Sequence, residues 1–141
     1  MSVKSSVYVL DSFALFAYLE GEAGMSRVRS ILARAEADEA TIYLSLINLG
    51  EVLYTTEREQ GLAKAQQTLA AIEQLPIQIV EVSRATVLSA AHIKAHYAVS
   101  YADAFAVVTA QEYNGIVVTG DLEFKSVEAA NLVSVEWLPR H

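Results

Sequence analysis

The run Val7-Tyr8-Val9-Leu10-Asp11 constrains this chain more than any other stretch. Four apolar residues, two Val and a Tyr among them, lead without a break into a single carboxylate. A short, uninterrupted β-prone run reads as a strand buried on both faces, as in a parallel sheet. Past Ser12, the segment Phe13-Ala14-Leu15-Phe16-Ala17-Tyr18-Leu19 is longer and richer in Ala and Leu, so it reads as a helix. Asp11 then stands at the carboxyl end of the first strand, the edge at which open α/β sheets bind ligands.

The remaining chain repeats the alternation. The first helix should end near Glu20-Gly21. Residues 23 to 37 carry Met25, Val28, Ile31, Leu32 and Ala35 at helical spacing, with charged residues between them. Thr41 to Leu44 predicts a second strand, and Ser45 opens a helix to about Gln60, broken by Gly61. Leu62 to Leu75 is a further amphipathic helix, stopped before Pro76. Ile77 to Val82 reads as the third strand, and Ser83 caps a helix to about Tyr97. Ser100 caps the next helix, and Gly115 ends that segment. Ile116 to Thr119 and Leu132 to Glu136 are the fourth and fifth strands, and Trp137 to His141 closes the chain. Strands alternating with helices imply a parallel sheet with helices on both faces.

Composition narrows the class. A chain of 141 residues with 53% hydrophobic content suits one domain, 1–141, with a real core. Charged or polar residues interrupt each apolar run before it reaches membrane-spanning length. The N-terminal Met1-Ser2-Val3-Lys4-Ser5-Ser6 is short and polar, with no cleavage pattern of a signal peptide behind it. The absence of cysteine excludes disulfides and thiolate metal sites. These features make a cytoplasmic protein the expectation. The net charge of −7 runs against nucleic-acid binding by bulk electrostatics. If the chain handles nucleic acid, metal ions or a local basic strip must offset its own field.

Four acids stand out. Asp103 is the only charged residue between Tyr97 and Ala110, in a segment apolar enough to be buried. A lone buried carboxylate is costly unless paired, hydrogen-bonded or bound to a cation. A local reading also fits, because Ser100 and Asp103 have the spacing of a capping box. Glu51 lies in the apolar segment Leu46-Ile-Asn-Leu-Gly-Glu-Val-Leu-Tyr54, where it either carries chemistry or marks a polar stripe with Asn48 and Thr55. Asp121 follows Ile116-Val117-Val118-Thr119-Gly120, repeating the strand-then-acid pattern of Asp11, although an aspartate after glycine is also a common turn residue. Glu123 follows two residues later. If the four converge, like charges raise each other's pKa, and the cluster needs cations. Hard oxygen ligands select Mg²⁺ or Mn²⁺ over zinc, and carboxylate-held ions suit phosphodiester hydrolysis by activated water.

The order of motifs resembles a family. Val7-Tyr-Val-Leu-Asp11-Ser12, Asn48-Leu-Gly-Glu51-Val-Leu-Tyr, Ser100-Tyr-Ala-Asp103-Ala-Phe-Ala and Val117-Val-Thr119-Gly-Asp121-Leu-Glu123-Phe124 look like the signatures of the PIN domain, and among PIN proteins like VapC-type toxin ribonucleases. The resemblance spans essentially the whole length. It implies a three-layer α/β/α fold on a five-stranded parallel sheet, and a metal-dependent endoribonuclease acting on single-stranded RNA. Asp11, Glu51, Asp103 and Asp121 match the acidic quartet of catalytic and metal-ligating residues. Ser12 matches the small hydroxyl residue and Thr119 the threonine before the last acid. Phe13 departs from the small polar residue common at that place. Glu123 stands where Asp is frequent, which puts its metal role in doubt. The resemblance further implies a homodimer and a cognate antitoxin that offers Arg or Lys to the carboxylates. The helices after Gly21 and between Ser45 and Leu75 are the expected dimer surfaces.

Other readings fit less well. A haloacid-dehalogenase-like phosphatase needs a second acid where Phe13 stands, and a receiver domain needs an acidic pair and a lysine that do not fit. His92 and His96 are one helical turn apart but lack the glutamate of a His-Glu-x-x-His zinc motif, and read as an exposed pair. The aromatic residues read as core, with Tyr97 and Tyr101 positioned to flank a pocket. A PIN-like module that binds RNA or protein without cutting is the alternative of a different class.

Overall fold

The computed structural model describes residues 6–140. Met1 to Ser5 of the polar N-terminal segment, and His141 of the closing tail, lie outside the described residues. The strands are β1 (Ser6–Leu10), β2 (Ala40–Ser45), β3 (Gln78–Val80), β4 (Ile116–Thr119) and β5 (Ser134–Trp137). The helices are α1 (Ser12–Leu19), α2 (Met25–Glu36), α3 (Leu46–Gln60), α4 (Leu62–Glu73), α5 (Arg84–His96), α6 (Tyr101–Tyr113) and α7 (Phe124–Ala129). All pairings are parallel, in the order β3-β2-β1-β4-β5, so the expected five-stranded parallel sheet is present.

The strand that reads most clearly in sequence is the middle one. Alternate side chains of β1 serve opposite faces, as pleating requires. Tyr8 and Leu10 join Ile42, Leu44 and Val118 in a core under α1 to α4. Val9 joins Val117 in a second core under α5, α6 and α7. The result is the expected three layers. Val9 and Leu10 are wholly buried, each worth about 1.5–3 kcal/mol relative to exposure. Leu10 pairs with both Leu44 and Val118, so the carboxyl ends of β1, β2 and β4 lie side by side. That register brings the corners after β1 and β4, with Asp11 and Asp121, to one edge.

Several boundaries differ from the sequence reading, each for a local reason. β3 ends at Val80 instead of Val82, because its partner β2 ends at Ser45, opposite Val80. β5 starts at Ser134 instead of Leu132, whose amide instead donates to Val127 O to close the end of α7. Between β4 and β5 the sequence reading carries no helix; α7 is there, spanning only six residues and anchored by the buried Phe124 and Val127. Asn114, not Gly115, stops α6, in a left-handed conformation (φ 52, ψ 48) that Asn tolerates. Gly115 serves close approach instead: a Cβ there would lie 3.1 to 3.2 Å from the side chains of Val7 and Val9. Among the described residues, no helix is long and apolar enough to cross a membrane.

Candidate metal centre

The site is built from helix and strand ends at the carboxyl edge of the sheet. Asp11 is the N-cap of α1: its Oδ1 accepts from the Ala14 N–H at 2.9 Å. Its Oδ2 accepts from the Thr119 hydroxyl. That hydroxyl oxygen also accepts from the Asp121 N–H at 2.9 Å, so Thr119 joins the first strand-end acid to the last. Asp121 Oδ1 then accepts from the Glu123 N–H at 3.0 Å and turns the chain into α7.

The helix acids arrive from the other side. Ser100 caps α6 by accepting from the Asp103 N–H at 3.1 Å, half of the expected capping box. The Asp103 carboxylate is not used up by capping. It is only 4% exposed, and its Oδ2 has no hydrogen-bond partner. Glu51, on α3, accepts from the Ser12 hydroxyl, which ties α3 to the start of α1. Asn48, one turn earlier, is 0% exposed, which removes it from any solvated polar stripe. Its Nδ2 donates to Ala102 O at 3.2 Å, docking α3 on the first turn of α6 beside Asp103.

One carboxylate oxygen from each of Asp103, Asp121 and Glu123 lies within 4.8 Å of the others. Glu123, left in doubt from sequence, is thus brought into the group. The Asp11 and Glu51 oxygens lie outside that trio, held by Ala14 and Thr119 and by Ser12 respectively. Among the described residues this is the one group of three or more potential ligands. His92 and His96, both exposed with ring centroids 4.7 Å apart, gather no third. Tyr101 is 44% exposed at the start of α6, two residues before Asp103, whereas Tyr97 lines a separate cavity with Leu88, His92 and Leu132.

Burial and crowding decide the charge. Burial pushes the Asp11 carboxyl up to about 7, against the opposing hydrogen bonds from Thr119 and Ala14 and with help from the Asp121 charge. Burial, followed by the charges of Asp121 and Asp11, pushes Asp103 up to about 8. At neutral pH Asp103 is therefore mostly protonated and Asp11 about half protonated unless a cation compensates them. An orphaned buried carboxylate oxygen, two further carboxylates within reach, and no sulfur or imidazole donor fit a hard, oxygen-preferring divalent ion.

The PIN domain family profile matches residues 8–130, which holds all of these side chains. The chain belongs to the PIN domain family. Comparison with curated proteins gave no match. Among solved structures, VapBC2 from Rickettsia felis, bound to a promoter DNA fragment, superposes with a TM-score of 0.72 at 16% identity, over 94% of this chain and 99% of that one. Mycobacterium tuberculosis VapC20, a Sarcin-Ricin loop cleaving toxin, gives 0.67 at 20% identity over 92% and 98%. A toxin–antitoxin complex from Klebsiella pneumoniae gives 0.61 at 21% identity over 85% and 90%. At such identities the likeness is one of fold, and it agrees with the PIN assignment.

Sequence reasoning passed over Asn48 as a site-building residue. Its signal was present: an amide one helical turn before Glu51 in a largely apolar segment.

Proposed function

We propose that this PIN domain protein is a divalent-metal-dependent endoribonuclease, the toxin of a toxin–antitoxin pair, formed by one nuclease domain over residues 1–141. The observation that carries the proposal is the Asp103 carboxylate, buried, without a partner on Oδ2, and facing two further carboxylates. Asp11, Glu51, Asp103 and Asp121 would hold Mg²⁺ or Mn²⁺, with Glu123 added to them. When bound, such an ion supplies an activated water and positive charge at the scissile phosphate.

The chain's own groups do the rest. Thr119 and the Ala14 N–H keep the Asp11 carboxylate in one orientation, and Ser12 does so for Glu51. Asn48 and Ser100 hold the α6 turn that carries Asp103. A net charge of −7 repels a polyanion, so substrate phosphates depend on the ion for docking.

The proposed substrate is single-stranded RNA and the proposed compartment the cytoplasm. The proposed protein partners are a cognate antitoxin, whose Arg or Lys would satisfy the same carboxylates, and a second copy of the chain. Tyr54 and Leu62, both more than half exposed on α3 and α4, support pairing through that region.

The deciding assay is cleavage of single-stranded RNA with Mg²⁺, with Mn²⁺ and with EDTA, for the wild type and a folded Asp103→Asn variant. Cleavage is expected only with metal and only by the wild type. Undiminished cleavage in EDTA rejects the metal mechanism. Absence of cleavage by the metal-loaded wild type turns the reading to a binding module that does not cut. Light scattering at tens of micromolar tests the dimer, with a monomer mass counting against it.

A further inference from the structure

Phe13 departs from the small polar residue common at that place in the PIN pattern, and the structure gives its ring a definite place. It lies against Gly120, where a Cβ on residue 120 would sit. Gly120 is the link between Thr119, which bonds Asp11, and Asp121, which shares the acid cluster. Asp121 is only half-buried and Glu123 is exposed, so neither is anchored by burying its own side chain. Gly120 has no side chain with which to anchor the corner. Thr119 and Phe124 anchor the two sides of the corner, and the Phe13 ring on the first turn of α1 packs on Gly120 between them.

We propose that Phe13 is a positioning residue of the metal centre: its ring, seated on Gly120, holds the Thr119–Asp121 corner where Asp121 and Glu123 meet Asp103. This rests on the metal reading above. The ring is the apolar counterpart of the Thr119–Asp11 hydrogen bond. One contact sets how the two strand-end corners face each other, and the other sets how closely they approach. Outer groups that orient metal ligands typically change metal affinity by about 10–100-fold when removed.

The geometry supplies its own cross-check. Phe13 also lines a surface groove with Phe16, Glu20, Thr55 and Glu59. A ring displaced from Gly120 can turn into that groove, so Gly120→Ala is expected to fold with Phe13 pushed aside. Phe13→Ala and Gly120→Ala then remove the same contact by different routes.

The test is Mn²⁺ titration by calorimetry of the wild type, both single variants and the double variant, each confirmed as folded by circular dichroism. Each single variant is expected to raise the Mn²⁺ Kd about tenfold, and the double variant also about tenfold, not a hundredfold. A role confined to packing would lower Tm in all three variants and leave Kd unchanged. Wild-type Kd in Phe13→Ala overturns the proposal, as does a hundredfold loss in the double variant, which would make the two effects independent. A wild type that binds no Mn²⁺ rejects the metal reading and this inference together. Wild-type binding with unaffected variants rejects this inference alone.

Discussion

Replacing the ionisable carboxyl of Asp103 should stabilise the metal-free protein, and by an amount that depends on pH. The wild-type carboxyl is buried and pushed from 3.8 up to about 8 by burial and by the charges of Asp121 and Asp11. Below pH 3.8 it is protonated in both folded and unfolded chains and has no effect. Between 3.8 and about 8 the unfolded chain releases the proton while the folded protein retains it. The folded state therefore binds more protons, and stability falls as pH rises through that window. The slope is about 1.4 kcal/mol per pH unit, so the penalty accumulated by pH 7 is about 4 kcal/mol. Water penetration and relaxation around the carboxyl bring this penalty down to about 2 kcal/mol. Asp103→Asn keeps the shape and has no proton to retain. In EDTA its Tm should exceed that of the wild type by about 6 °C at pH 7, taking ~3 °C per kcal/mol for a chain of this length. The gap should close toward pH 4. The assay is thermal unfolding followed by circular dichroism, in EDTA, at pH 4 to 8. A gap that does not change with pH, or a wild type more stable than the variant at pH 8, would refute the reasoning.

Three further outcomes are expected. Asp11→Asn keeps a capping oxygen for the Ala14 N–H and, like Asp103→Asn, has no proton to retain, so without metal at pH 7 urea unfolding should show it at least as stable as the wild type while RNA cleavage is lost; Asp11→Ala, which also loses the cap, should be about 1 kcal/mol less stable than Asp11→Asn. Thr119→Val keeps the volume but strips the buried Asp11 Oδ2 of its donor and the Asp121 N–H of its acceptor, and should cost about 2–3 kcal/mol by the same measurement. The rise in Tm on adding Mn²⁺ should be larger at pH 8 than at pH 6, because at the lower pH the ion must displace protons from Asp11 and Asp103; equal shifts would show that these carboxyls are not the ones the ion meets.

What the sequence makes legible follows from which forces act locally. Residues 7–10 and 116–118 read directly because a strand buried on both faces selects apolar side chains, and the carboxylate at or shortly after the end of the run marks the sheet edge. Ser45, Ser83 and Ser100 read as helix starts, and each side chain accepts the expected backbone N–H, because capping acts over three residues. Features set by another part of the chain were harder to read. β3 is cut short by the end of β2, which no property of Glu81 or Val82 announces. Gly115 reads as a helix stop, but its absent side chain makes room for Val7 and Val9, more than a hundred residues earlier.

The same division runs through the acid cluster. The apolar surroundings of Asp103 predicted a carboxylate with an unmet need, and it has one. Glu123 could not be placed, because its direction depends on a turn in which the Asp121 side chain accepts its own N–H. Phe13 reads as a mere departure from a pattern until the fold brings Gly120 under its ring. The acids declare themselves in sequence because a buried charge is expensive wherever the chain leads. The residues that aim them, Asn48, Thr119 and Phe13, act only through contacts that folding creates, each with a partner more than fifty residues away.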